Sequence, residues 1–153
     1  NNTSLNVICV HLYPANTAPT RVSTSRFTRQ GSGDSAVVKD SLTGLIWKRA
    51  LQETALFANI ATKCSDCAIR DKNDNCRGWW RNPSLTDLRT LIDRRKTQAP
   101  FVDEQAFPEI GADEYWSNSA VTGDGNMAWS VNFGNGNVSQ TGDTTLLYVI
   151  CVH

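Results

Sequence analysis

The stretch KCSDCAIRDKNDNCRGWW, from Lys63 to Trp80, crowds Cys64, Cys67 and Cys76 into one polar loop. Burial as small apolar side chains does not account for three cysteines among so many charges, so they must do chemistry. Two kinds are open to them. Cys64-x-x-Cys67 has the spacing of a zinc ligand pair, but a tetrahedral site needs four ligands and only Cys76 stands near. Disulfide formation is therefore favoured over metal, which implies an oxidising compartment and a secreted or cell-surface protein. Cys9 and Cys151 bring the total to five, so two bridges leave one thiol over.

Other chemistry is thinly provided. Nucleophilic catalysis by Ser or Cys wants a nearby base, usually histidine, and the two histidines, His11 and His153, both lie in short apolar strands. No enzyme is expected. Calcium is a candidate at TGDGNMAW, where Asp124, Asn126 and turn carbonyls offer hard oxygens, with Asp113 and Glu114 upstream. The plainer reading is a β-turn shaped by Asp124 and Gly125, and it is favoured because EF-hand spacing is missing. Asn118, Ser130, Asn132, Asn135 and Asn137 stand among strand aromatics. Their adaptable hydrogen bonding suits a hydroxyl-rich ligand.

The elements that must hold these residues follow from pattern. With 153 residues, one domain and one core are expected. Fifteen Lys plus Arg balance fifteen Asp plus Glu, so no net field draws in nucleic acid or an anionic membrane. No apolar run approaches the ~18 residues of a membrane span. Residues 13–25 read as a linker, rich in small polar residues with two prolines and no apolar period. From Arg26, RFTRQGSGDSAVVKDSLTGLIWKR predicts two strands around glycine turns. ALQETALFANIA, Ala50 to Ala61, predicts a helix with Leu51, Ala55, Leu56 and Ile60 on one face. PSLTDLRTLIDRR predicts a second, with Ser84 as N-cap, Asp87 three residues on, a Leu85, Leu88, Leu91 and Ile92 stripe, and Arg94 and Arg95 at its C-terminal end. Beyond Pro100, short strands and Gly/Asn turns predict an antiparallel sheet in which Trp129, Val131 and Phe133 alternate with Ser130 and Asn132. The class is α+β.

These words in this order resemble a known family. VVKDSLTGLIWKR, GWWRNPSLTDLRTLID, AFPEI, YWSNS, AWSVNFGNGNV and a terminal YVICVH are similar to segments of the Lcl C-terminal domain family, named for a Legionella collagen-like adhesin. The resemblance implies a C-type-lectin-like fold, two helices flanking a small twisted antiparallel sheet, over residues 26–153. It further implies a bacterial surface or secreted module, often in tandem copies, engaged in adhesion to glycans or host surfaces. The family's motifs place Trp116 and Trp129 in the core, and most of Trp79, Trp80, Trp116 and Trp129 are expected there too. Two departures stand out. Asn82 occupies the place of the family's leucine before proline. The family's cysteine inside the first helix, which partners the last-strand cysteine, is missing around Ala58 and Asn59. Cys64, just past that helix, is placed to take over the role for Cys151, with Cys9 as the alternative partner, while Cys67 and Cys76 are expected to bridge each other.

One short motif occurs twice. SLNVICVH, Ser4 to His11, matches LLYVICVH, Leu146 to His153, at six of eight positions. Residues 1–12 are therefore read as a strand extension that duplicates the closing strand. Leaving Leu5, Val7, Ile8 and Val10 wet costs ~1.5 to 3 kcal/mol for each large side chain, so the segment, Cys9 included, is expected to dock. A tandem array, pairing inside its own domain, and addition to a neighbouring copy in a head-to-tail filament are the three ways to do so.

Overall fold

The computed structural model describes residues 25–32, 36–49, 53–65, 67–70, 73 and 76–153, with the backbone alone at 67–70, 76 and 77. The expected strand extension, most of the linker and the start of the first expected helix lie outside the described residues.

Three strands, not two, follow Arg26. β1 (Phe27–Gln30), β2 (Val37–Asp40) and β3 (Ile46–Lys48) form an antiparallel meander, with Val38 opposite Trp47. The extra turn is built by Asp40. Its carboxylate accepts from the Leu42 N–H at 2.9 Å, the Thr43 hydroxyl at 2.8 Å and Arg26 Nε at 2.9 Å. Gly44 then takes a φ of 78°, a left-handed value that a side chain would oppose.

The expected helix over Ala50–Ala61 is replaced by three short pieces: β4 (Glu53–Ala55), a 3-10 turn (Phe57–Asn59) and α1 (Ile60–Lys63). Pairing with the closing strand, Leu147 opposite Ala55 and Tyr148 opposite Thr54, outweighs a local helical preference worth only tenths of a kcal/mol per residue. Ala55 and Ile60 are buried as the periodicity predicts, whereas Leu56 is exposed.

α2 (Leu85–Thr90) starts where expected. The Ser84 hydroxyl accepts from the Asp87 N–H at 3.1 Å, and the Asp87 carboxylate accepts from the Ser84 N–H at 2.9 Å, a reciprocal capping box. Leu88 and Leu91 are buried below it. The helix ends before Arg94 and Arg95, because the Asp93 N–H bonds to the Phe101 carbonyl and leads the chain away; Arg95 pairs with Asp93 instead. Ser84→Ala should cost about 1 kcal/mol and lower the melting temperature by a few degrees. A melt that is unchanged would mean that the box contributes nothing to stability.

A five-stranded sheet in the order β4, β10 (Leu147–Val149), β7 (Glu114–Ala120), β8 (Met127–Asn132), β9 (Asn137–Gly142) carries the second half. It is mixed, not wholly antiparallel. β10 inserts beside β7 in parallel, with Tyr148 opposite Tyr115. The fold is thus α+β, mostly sheet, with short helices. β5 (Cys67–Arg70) and β6 (Cys76–Trp79) add a separate hairpin.

The closing segment joins the layers. Past β10, the His153 N–H bonds to the Ile46 carbonyl at 2.8 Å and Lys48 N–H to the Cys151 carbonyl at 2.9 Å. On its other side, Val152 and Arg81 exchange both backbone bonds at 2.9 Å. Two apolar clusters lie on opposite faces. Tyr115, Val131, Phe133 and Ile150 pack with Leu88, Leu91, Phe107 and Trp47; Trp116, Ala128, Val149 and Cys151 pack with Ala55, Ile60, Cys64 and Trp80. With both faces covered, Ser130 is buried and Trp129 only half-buried, which reverses part of the expected alternation.

Candidate ligand-recognition site

Cys64 ends α1 and is bridged to Cys151 in the closing segment, with Cα atoms 5.5 Å apart across 87 residues of sequence. Both are buried. In the β5–β6 hairpin Cys76 stands opposite Arg70 and Cys67 opposite Trp79. A Cys67–Cys76 bridge concerns side chains outside the described residues, as does any bridge of Cys9.

The acidic groups weighed for calcium do not converge. Asp124 and Asn126 sit in the exposed turn after β7, where the Asp124 carboxylate accepts from the Asn126 N–H at 3.0 Å and Gly123 takes a φ of 86°. Asp113 and Glu114 stand at the opposite end of the seven-residue β7, roughly 20 Å away at the rise of a strand. Glu114 accepts from the Ser130 hydroxyl and, at 3.1 Å, from Thr141 Oγ1. Among the described residues no three His, Cys, Asp or Glu side chains come together around a metal position. These residues do not fit one calcium site.

The expected polar contacts are dispersed by the sheet. Ser130 is buried, its hydroxyl committed to Glu114 and to Thr141 Oγ1 at 2.9 Å. Asn132 and Asn135 shape the β8–β9 hairpin, accepting from the N–H groups of Gly134 at 2.7 Å and Asn137 at 2.9 Å, while Asn137 is exposed. Of the aromatics, Trp47, Trp80 and Trp116 are core; Trp79 is 63% exposed on β6. His153 lies against Gly78, where an added Cβ would come within 2.3 Å of its ring, and its Nδ1 is 3.3 Å from the Trp79 carbonyl.

Asn118, of the predicted set, lines a hollow. About 400 Å³ in size, it is lined by Phe57, Ile60, Ala61, Cys64, Trp80, Arg81, Asn82 and Asn118. Asn82, absent from the predicted set, organises it. Its Nδ2 donates to the Ile60 carbonyl at 3.0 Å and contacts the Cys64 sulfur at 3.2 Å. Asn118 Nδ2 in turn donates to the Asn82 carbonyl at 3.3 Å. The one signal for Asn82 in the sequence was its departure from an apolar pattern. A second, wider groove of about 710 Å³ runs past Arg26, Ile92, Arg94, Arg95 and Gln105, but Arg26 and Arg95 are already paired with Asp40 and Asp93.

The two amide side chains, Arg81 and the bridged Cys64 thus border one hollow beside the apolar Phe57, Ile60 and Ala61. No curated protein sequence matches the chain. The family model of the Lcl C-terminal domain matches residues 36–153, most of the chain, and the chain belongs to the Lcl C-terminal domain family.

Proposed function

We propose that the protein is a non-catalytic bacterial module, secreted or held at the cell surface, that serves adhesion by recognising a glycan or host molecule on a C-type-lectin-like fold. Copies join head to tail through the N-terminal strand. In this reading residues 1–12 are the assembly strand, 13–25 the linker and 26–153 the recognition domain. Family membership supports surface recognition, and the Cys64–Cys151 bridge supports an oxidising compartment. No helix among the described residues is long and apolar enough to cross a membrane.

The observation that carries the assembly is where the two copies of the strand differ. Val149, Ile150, Cys151 and Val152 are all buried, and each is repeated unchanged as Val7, Ile8, Cys9 and Val10. The two differences, Leu146 against Ser4 and Tyr148 against Asn6, fall where the closing strand is exposed or half-buried. Ser4–His11 thus suits the same kind of site. In every folded copy that site is filled by the closing strand and tied by a disulfide, so the segment has to dock at another sheet edge, which in this reading belongs to a neighbouring copy. A second reading makes the protein chiefly a structural subunit of an extracellular filament, and the same observation favours it.

Deleting residues 1–12 should leave a folded monomer while the intact chain assembles, as read by size-exclusion chromatography and negative-stain microscopy. Should the truncated chain unfold and the intact protein run as a monomer, the strand pairs internally and head-to-tail joining is wrong.

A further inference from the structure

Asn82 is 8% exposed, and its Nδ2 is committed to the Ile60 carbonyl and the Cys64 sulfur. That leaves the amide oxygen. Among the described residues Oδ1 has no hydrogen-bond partner, yet it is not one of the unpartnered side-chain atoms sealed from solvent, which are Trp47 Nε1 and Tyr115 OH. Asn82 lines the hollow of about 400 Å³. An acceptor held in one orientation by its own amide nitrogen and reached by solvent is open to a donor from a ligand.

The surroundings narrow the choice of donor. Asn118 lies beside it on β7, exposed, with one of its two N–H groups used on the Asn82 carbonyl and the other free to donate. Half-buried Phe57 and the side chains of Ile60 and Ala61 form an apolar wall. The one charged group at the rim, Arg81, is paired with Asp87 at 2.8 Å, so the hollow does not select an anion. One acceptor, one donor and an apolar wall complement a group with one N–H, one carbonyl and one methyl. At about 400 Å³ the hollow falls within the ~300 to 1,000 Å³ typical of small-molecule sites.

We propose that this hollow binds the secondary acetamide of an N-acetylhexosamine: N–H to Asn82 Oδ1, carbonyl to Asn118 Nδ2, methyl against Phe57 and Ile60. The assignment rests on the recognition reading above and names its ligand class.

The test titrates the intact chain with di-N-acetylchitobiose and with cellobiose, the same disaccharide frame without acetamides, followed by NMR shift changes or calorimetry. Saturable binding of the acetamido sugar is expected, at least about tenfold tighter than of cellobiose, because a site built to hydrogen-bond a group rejects the analogue lacking it. Asn82→Leu installs the residue of the family pattern and should fold with its disulfide intact while binding at least about tenfold more weakly. Asn118→Ala, an exposed position, should weaken binding several-fold and guards against a folding defect in the first variant. Equal binding of both sugars, binding unchanged in both variants, or no binding at millimolar concentration would each overturn the assignment. A chain that still attaches to immobilised polysaccharide or cells would then keep the recognition reading while losing the hollow; one that attaches to neither would lose both.

Discussion

Replacing Cys64 and Cys151 together with alanine should lower the melting temperature by about 10–15 °C. The bridge closes a loop of 87 residues, which in the chain-entropy account removes about 4 to 5 kcal/mol of freedom from the unfolded chain. For a domain of this size each kcal/mol moves the melt by roughly 3 °C. The location adds to the effect. Cys151 lies between β3 and Arg81 in the segment that joins the two sheets, so loosening it loosens both apolar clusters at once. Because both sulfurs are buried, mild reductant should leave the native protein oxidised, and the loss should appear only after unfolding in reductant. Calorimetry of wild type and double variant checks this; a shift below about 3 °C would show that the bridge adds little to a strand already held by its hydrogen bonds.

Asp40→Ala should cost about 3 kcal/mol, the next largest loss. The side chain is fully buried and satisfies Arg26, Thr43 and the Leu42 N–H, which the substitution would strand. Arg26 keeps about a third of its side chain in water, so its charge is partly screened and the hydrogen bonds carry most of the effect. Burial by itself raises the Asp40 pKa, but the bonds from Arg26, Thr43 and Leu42 outweigh it and hold the carboxyl below its ordinary range. The sign follows from that depression. Stability from the carboxylate is fully present above the unfolded pKa of about 3.9 and is lost as pH falls through the lower folded value. The difference in stability between wild type and Asp40→Asn, measured by urea denaturation across pH, should therefore be constant near neutrality and narrow below about pH 4. A difference that does not narrow in acid would mean that the charge of Asp40 does not contribute.

How much was legible beforehand depended on the range of the interaction. The Ser84–Asp87 cap, the glycine turns and the β8–β9 hairpin were readable because each is settled among residues within a few positions of one another. The helix predicted over Ala50–Ala61 was misread because a partner 92 residues away, Leu147 opposite Ala55, decided its state. Ser130 was misread for a related reason. Alternation in β8 separates two faces, and only the packing of Trp116 and Ala128 against Ile60 and Trp80 shows that the second face is covered as well.

The candidate site divides in the same way. Residue types and order by themselves determined the family, the α+β class, a chain with cysteines to oxidise, and a closing strand written twice, all of which are properties of local chemistry and pattern. Only the tertiary structure decided between Cys64 and Cys9 as the partner of Cys151, and only it showed that Asp113 and Glu114 stand a strand's length from Asp124 and that Asn82 and Asn118 share a hollow. Those outcomes depend on which distant segments the sheet brings side by side, and burial on both of its faces, not the spacing of residues along the chain, determines which polar groups are left open to a ligand.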